Sequence, residues 1–309
     1  MRHVPPGLAA APASLNDSRP PTPMEILASV PPSELILLAA GLLVAGAATG
    51  ILAGMFGVGG GAIVVPVLYE LFKLMGVPDD VRMPLCIGTS LAVIVPTSIR
   101  SFNAHRARGA VDLAIIKVWA LPVVIGVLIG GVIARFASAD LFKTVFVCVA
   151  MVTSFRLLFG KDHWNLGADV PGKLIMRLYG LLIGLLSSLM GVGGGQLSSV
   201  FMTFYGRPIH QAVATSSGLG VLISIPGALS YILAGWPRAA EYPEIALLQP
   251  PLALGYVSLL GLVLFTPTST LTAPLGVRLA HYLPKRRLEI AFGIFFLLVA
   301  LRFLVSLIS

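Results

Sequence analysis

The chain has 309 residues, of which 57% are hydrophobic and only 11% charged, with a mean hydropathy of +0.94. Soluble domains carry about 25% charged residues, so the composition excludes an ordinary soluble protein and predicts an integral membrane protein. The formal net charge of +8 is read as basic residues held in cytoplasmic loops, and no nucleic-acid partner is expected.

Residues 1–32 stand apart. They contain Pro5, Pro6, Pro12, Pro20, Pro21, Pro23, Pro31 and Pro32 and no apolar run of signal-peptide type, which predicts a flexible tail. Hydrophobic segments follow at about 35–57, 60–76, 84–103, 113–135, 141–159, 174–190, 195–206, 211–235, 247–272 and 287–308. A span needs about 20 apolar residues, so the second and seventh are short. Each follows a glycine run, Gly57-Val58-Gly59-Gly60-Gly61 or Gly191-Val192-Gly193-Gly194-Gly195. Each is either a tilted span or one arm of a re-entrant hairpin. The expected fold is an all-α polytopic membrane protein with about 8–10 transmembrane segments, some glycine-broken or re-entrant.

The two halves match in order. The glycine runs align at an offset of 134, and Thr89-Ser90 aligns with Thr215-Ser216 at 126, as does Gly109 with Gly235. Gly130 and Gly276, Ala134 and Ala280, and Arg156 and Arg302 align at 146. The first half thus has eight more residues between the glycine run and Thr-Ser, expected in the loop around Val77-Pro78-Asp79-Asp80. An internal duplication follows, with repeat 1 over 33–160, a linker over 161–173 and repeat 2 over 174–309. The basic connections Arg100–Arg108 and Arg278–Arg287 belong in the cytoplasm. Their counterparts, 236–241 and 137–140, are not basic. Opposite charge signatures in equivalent loops predict inverted repeats, with both termini outside the cytoplasm.

Gly57-x-Gly59-x-x-Ala62 imitates a dinucleotide fingerprint, but no βαβ pattern surrounds it, and no Lys-Ser/Thr follows either run to make a Walker loop. The plainer account is close helix packing through small residues, as in Gly50-x-x-x-Gly54 and Gly126-x-x-x-Gly130. Repetition beside short segments favours a binding site instead. Exposed N–H groups at a glycine turn, followed by a helix N-terminus, suit an anion. The expected substrate-binding residues are Gly57, Gly59, Gly60, Gly61, Thr89 and Ser90 in one half. In the other they are Gly193, Gly194, Gly195, Gln196, Ser198, Ser199, Thr215, Ser216 and Ser217. For each hydroxyl the competing account is a bond to its own helix backbone.

Pro66, Pro96, Pro122, Pro226, Pro267 and Pro274 interrupt apolar runs and are expected to kink or break them. Glu70 and Lys73 fall near an interface, and Lys117 is placed to snorkel. Arg156 and Arg302 form a matched cationic pair that either snorkels or attracts an anion. No His/Asp/Glu cluster lies at mid-depth, so neither a metal site, a cofactor nor a proton relay is expected. Cys86 and Cys148 read as membrane-embedded hydrophobes. No serine has a His base at a suggestive spacing, which argues against an intramembrane serine hydrolase, and no enzyme activity is expected.

The glycine run followed by Val64-Val65-Pro66-Val67-Leu68, then Gly88-Thr89-Ser90-Leu91, then His105-Arg106-Ala107-Arg108-Gly109 before Asp112, resembles the TauE/SafE sulfite exporter family. The second half repeats the pattern through Gly191–Gly195, Ala214-Thr215-Ser216 and Gly235, and the stretch from Pro274 to Arg287 is similar to the family's closing segment. The resemblance runs from about residue 40 to 308. It implies a multi-pass plasma-membrane (bacterial inner-membrane) transporter for sulfite or a small organosulfonate anion. The second run continues as Gln196-Leu197-Ser198-Ser199-Val200 where the first has Ala62-Ile63-Val64-Val65-Pro66, so the second half is expected to supply more polar contacts. The expected function is a secondary transporter exporting such an anion by alternating access. An anion-selective channel and a membrane scaffold are the alternatives. Membrane lipid is a partner, protons are the weaker candidate for a coupling ion, and exposed small-residue stripes would permit a homodimer.

Overall fold

The computed structural model describes residues 32–56, 61–107, 109–160, 167, 171–241, 252–282 and 285–308. The expected tail and most of the linker lie outside these. The described helices are α1 (Pro32–Phe56), α2 (Gly61–Leu74), α3 (Asp79–Ala107), α4 (Leu113–Phe136), α5 (Ala139–Phe159), α6 (Lys173–Met190), α7 (Gly195–Phe204), α8 (Ile209–Glu241), α9 (Leu259–Tyr282) and α10 (Lys285–Ile308). Among the described residues, six helices are long and apolar enough to cross a membrane, and α1 and α9 hold the shorter apolar runs Ala39–Ile51 and Leu259–Thr272. At 14 and 10 residues, α2 and α7 reach about 21 and 15 Å, short of a hydrocarbon core of about 30 Å. Large apolar side chains such as Leu121, Val152 and Leu298 are exposed on the outer faces, the arrangement that lipid requires. None of the prolines inside the apolar runs ends its helix.

The main helix contacts map onto themselves when the halves are exchanged. Helix α1 packs on α9 as α6 packs on α4, α2 packs on α3 as α7 does on α8, and α3–α8 and α5–α10 pair across the halves. The register agrees to the residue. A Cβ on Gly184 would lie 2.1 Å from the Val123 carbonyl oxygen, and one on Gly50 would lie 2.3 Å from that of Ser269. Gly184 is 134 positions after Gly50, and Ser269 is 146 after Val123. Helices in lipid gain little from hydrophobic contact with each other, so close backbone approach supplies much of their adhesion.

Three expectations are corrected by the backbone. The eight extra residues of the first half do not form a loop. Helix α2 exceeds α7 by four residues (14 against 10), and α3 begins ten residues before Thr89 where α8 begins six before Thr215. One helical turn is added to each, and the connections Met75-Gly76-Val77-Pro78 and Tyr205-Gly206-Arg207-Pro208 stay equal, with Gly76 at φ +77° and Gly206 at +73°. Gly109 is matched by Gly255 instead of Gly235: both sit at positive φ (+67° and +57°) four residues before the first residue of α4 or α9, whereas Gly235 lies inside α8. Lastly, the 247–272 segment is not one helix. A two-stranded antiparallel hairpin, β1 (Ala253–Leu254) with β2 (Val257–Ser258), precedes α9.

Replacing Gly184 with Ala should destabilise the protein by about 1–3 kcal/mol, read as a lower thermal midpoint in detergent. Leu182→Ala, on the outward side of the same helix, should change it much less.

Candidate functional site

The second glycine run is a break between two helices. Gly191 caps α6 at φ +68°, and both its N–H and that of Val192 donate to the Ser187 carbonyl. Gly194 opens α7 at φ +66°. Such backbone is open to glycine and strained for a residue with a Cβ. The first bond inside α7 is donated by the Ser198 N–H to the Gly194 carbonyl at 3.0 Å. The N–H groups of Gly195, Gln196 and Leu197 precede it and have no acceptor within the helix. They point along the positive end of the α7 dipole.

Gly61, the last glycine of the first run, abuts this break: a Cβ there would lie 2.8 Å from the Gly191 carbonyl oxygen and 2.9 Å from Val192 Cα. Ser90 Oγ donates to that same Gly191 oxygen at 2.7 Å. Gly57, Gly59 and Gly60 lie outside the described residues, and so does the side chain of Gln196. The two halves therefore meet where the chain is broken.

Around α7 the hydroxyls form a cluster. Ser198 Oγ donates to Ser216 Oγ at 2.9 Å, and Ser199 Oγ lies 2.7 Å from the same atom. Their other bonds anchor them to backbone, Ser198 to Gly194, Ser199 to Gly195 and Ser216 to Ala212. Ser217 Oγ donates to the Ala214 carbonyl within its own helix.

Thr89 and Thr215 do something else. The Asp112 N–H donates to Thr215 Oγ1 at 2.9 Å, and the Ser258 N–H donates to Thr89 Oγ1 at 2.9 Å. Asp112 and Ser258 immediately precede α4 and α9 and each caps its helix: Asp112 Oδ1 accepts from Ala114 and Ile115, and Ser258 Oγ accepts from Gly261. Each Thr thus holds the first turn of a helix in the opposite half, and each bond has its symmetric mate.

Sequence reasoning missed Ser187, Ser98 and Ser224. Ser187 is fully buried, its Oγ has no hydrogen-bond partner among the described residues, and it lies 3.1 Å from where a Cβ on Gly194 would stand. Ser224 Oγ is buried and equally without a partner there. Ser98 is also buried, its Oγ 2.6 Å from the place of a Gly220 Cβ. The signal was available: Ser90 and Ser98, like Ser216 and Ser224, are eight residues apart, so each pair shares a helix face, and the two pairs match at 126. The matched arginines are both engaged. Arg302 Nε pairs with Glu70 at 2.9 Å, while Arg156 donates to Thr203 Oγ1 at 3.1 Å and stacks over Phe204.

Among the described residues, long helices with apolar outer faces, and two half-length helices that each follow a glycine run, are those of a multi-pass membrane protein. The chain belongs to the TauE/SafE sulfite exporter family, whose model matches residues 42–303. It is 33% identical to a probable membrane transporter protein of Haemophilus influenzae, over 84% of this chain and 95% of that protein. It is 32% identical to one of Methanocaldococcus jannaschii over 65% of this chain and 75% of the relative, and 27% identical to YunE of Bacillus subtilis over 63% and 78%. No solved structure matches it.

Thr215→Val keeps the shape but strands the Asp112 N–H, and should cost about 1–3 kcal/mol. Thr215→Ser should restore most of that in the same thermal melt. Thr89→Val and Thr89→Ser should behave alike through Ser258.

Proposed function

We propose that the protein is a secondary transporter that exports sulfite or a small organosulfonate across the plasma membrane by alternating access, with the anion held at the junction of the two glycine runs. What supports the reading most is the meeting of three features at one place: the N-terminus of α7, the first run's Gly61 against the second break, and the Ser198–Ser199–Ser216 hydroxyls. In this reading the N–H groups at the start of α7 replace part of the anion's hydration. The Ser198, Ser199 and Ser216 hydroxyls turn toward it, and Ser187 and Ser224 offer donors not engaged among the described residues. Thr89 and Thr215 act one step back, by fixing where α9 and α4 begin.

The matched packing of the halves supports the repeat, and opposite loop charges support its inversion. An inverted pair of broken helices around one site is the arrangement that lets one half rock against the other. The basic connections then lie in the cytoplasm and both termini outside it.

Sulfite flux into proteoliposomes, with sulfoacetate, thiosulfate and sulfate as competitors, tests this. Saturable uptake with counterflow of labelled against unlabelled sulfite is expected, and Ser216→Ala should raise KM about tenfold, the loss of about one charge-assisted hydrogen bond. A response to an imposed pH gradient identifies protons as the coupling ion. Flux that never saturates and shows no counterflow overturns the carrier in favour of a channel.

A further inference from the structure

A second polar cluster lies at the opposite end of α3 from its basic terminus, away from the glycine break. Asp79 and Arg82 come from the first turn of α3, Tyr69 from the end of α2, Lys143 from the second turn of α5 and Ser306 from the end of α10. Lys143 is 1% exposed, and its Nζ donates to Asp79 Oδ2 and, at 2.9 Å, to Ser306 Oγ. Arg82, 8% exposed, donates to Asp79 Oδ1 at 2.6 Å, and its guanidinium lies 4.4 Å from the centre of the Tyr69 ring. The Tyr69 hydroxyl donates to the same Asp79 oxygen at 2.7 Å. One carboxylate thus holds two buried cations and a phenol from three helices.

Nothing equivalent is encoded in the other half. Asp79 stands in the extra turn of α3, and α8 starts too late to have such a residue. By the offsets 134 and 146, Tyr69 is matched by Thr203, Lys143 by Glu289 and Ser306 by Gly160. The inserted turn brought the carboxylate and made one end of the molecule unlike the other.

We propose that the Asp79–Lys143–Arg82 cluster is a latch that clamps the α2–α3 hairpin to α5 and α10, and that its release opens this face of the protein toward the site. The stretch between latch and site is sealed: Met83, Leu85, Cys86 and Ile87 have no exposed surface. Cys86 lies seven residues after Asp79, on the same face of α3. A buried ion pair suits a switch, since its Coulomb gain is nearly offset by desolvation while both partners are present; without Asp79 the buried Lys143 keeps only the exposed Asp140 carboxylate, 4.0 Å away, and its charge draws in water. The Asp79 side chain is 34% exposed whereas that of Lys143 is 2% exposed, so water has access to the carboxylate first. The importance of the latch to transport rests on the function proposed above; the opening it controls does not.

Cys86 is the natural reporter. In full-length protein carrying Cys148→Ala, in lipid nanodiscs, the rate of Cys86 modification by a charged methanethiosulfonate reads the opening. Asp79→Asn and Lys143→Gln should each raise that rate about tenfold or more, as expected when a local opening becomes easier. Tyr69→Phe, which removes a single hydroxyl, should raise it by a smaller factor and guards against variants that fail to fold. Unchanged rates in folded Asp79→Asn and Tyr69→Phe proteins overturn the latch, whatever the flux assay shows. Faster modification in a protein that moves no anion upholds the latch and removes the transporter reading instead.

Discussion

A chain that interrupts its own helices inside a bilayer must bury every interruption, because lipid offers no partner for free N–H and C=O groups. The rest of this structure follows from that constraint. The break at Gly191–Gly194 is covered by α3, whose Ser90 donates to the Gly191 carbonyl, and by Gly61 packed against it. The surrounding helices are drawn in by glycine-to-carbonyl contacts too close for any side chain, at Gly184 on Val123 and Gly50 on Ser269. Tight crossings hold the scaffold rigid around a locally open backbone. The N–H groups left over at the start of α7 are then the feature available for a ligand.

The two halves share a pattern of contacts, and they differ at a few identifiable places. The paired threonines perform one task twice, each accepting from the N–H of the residue that caps a helix of the other half. The hydroxyls after the second glycine run have no counterparts after the first, where Val64 and Val65 are buried in the apolar core. The extra turn on α3 adds Asp79 and with it a salt-bridged end that has no equivalent among the described residues of the second half. The proposed site and the proposed latch both lie where the two halves differ.

The sequence foretold the helices well, since a long apolar run in lipid has few alternatives to a helix. It foretold the short α2 and α7 through the glycines that precede them. It failed where the deciding contact joins distant residues. Thr89 and Thr215 stood out as a matched pair, but their partners lie 169 and 103 positions away, beyond any helical period. Asp79 read as part of a loop because Pro78-Asp79-Asp80 carries turn chemistry, although the same residues serve equally as the start of a helix. Gly109 pairs with Gly235 at the offset of 126 that the Thr-Ser pairs share, and only the positive φ common to Gly109 and Gly255, at an offset of 146, shows the true match. Ser187, next to the break, was overlooked because it sits in a run that otherwise reads as plain apolar helix.

The central claim is that a small anion sits where the two glycine runs meet. Crystals of the protein grown with selenite, a heavier analogue of sulfite, measured at the selenium absorption edge, test it most directly. The account predicts an anomalous peak at the N-terminus of α7, within hydrogen-bond reach of the first N–H groups of that helix and of Ser216. A peak among the basic residues of Arg278–Arg287, with none at α7, would contradict it.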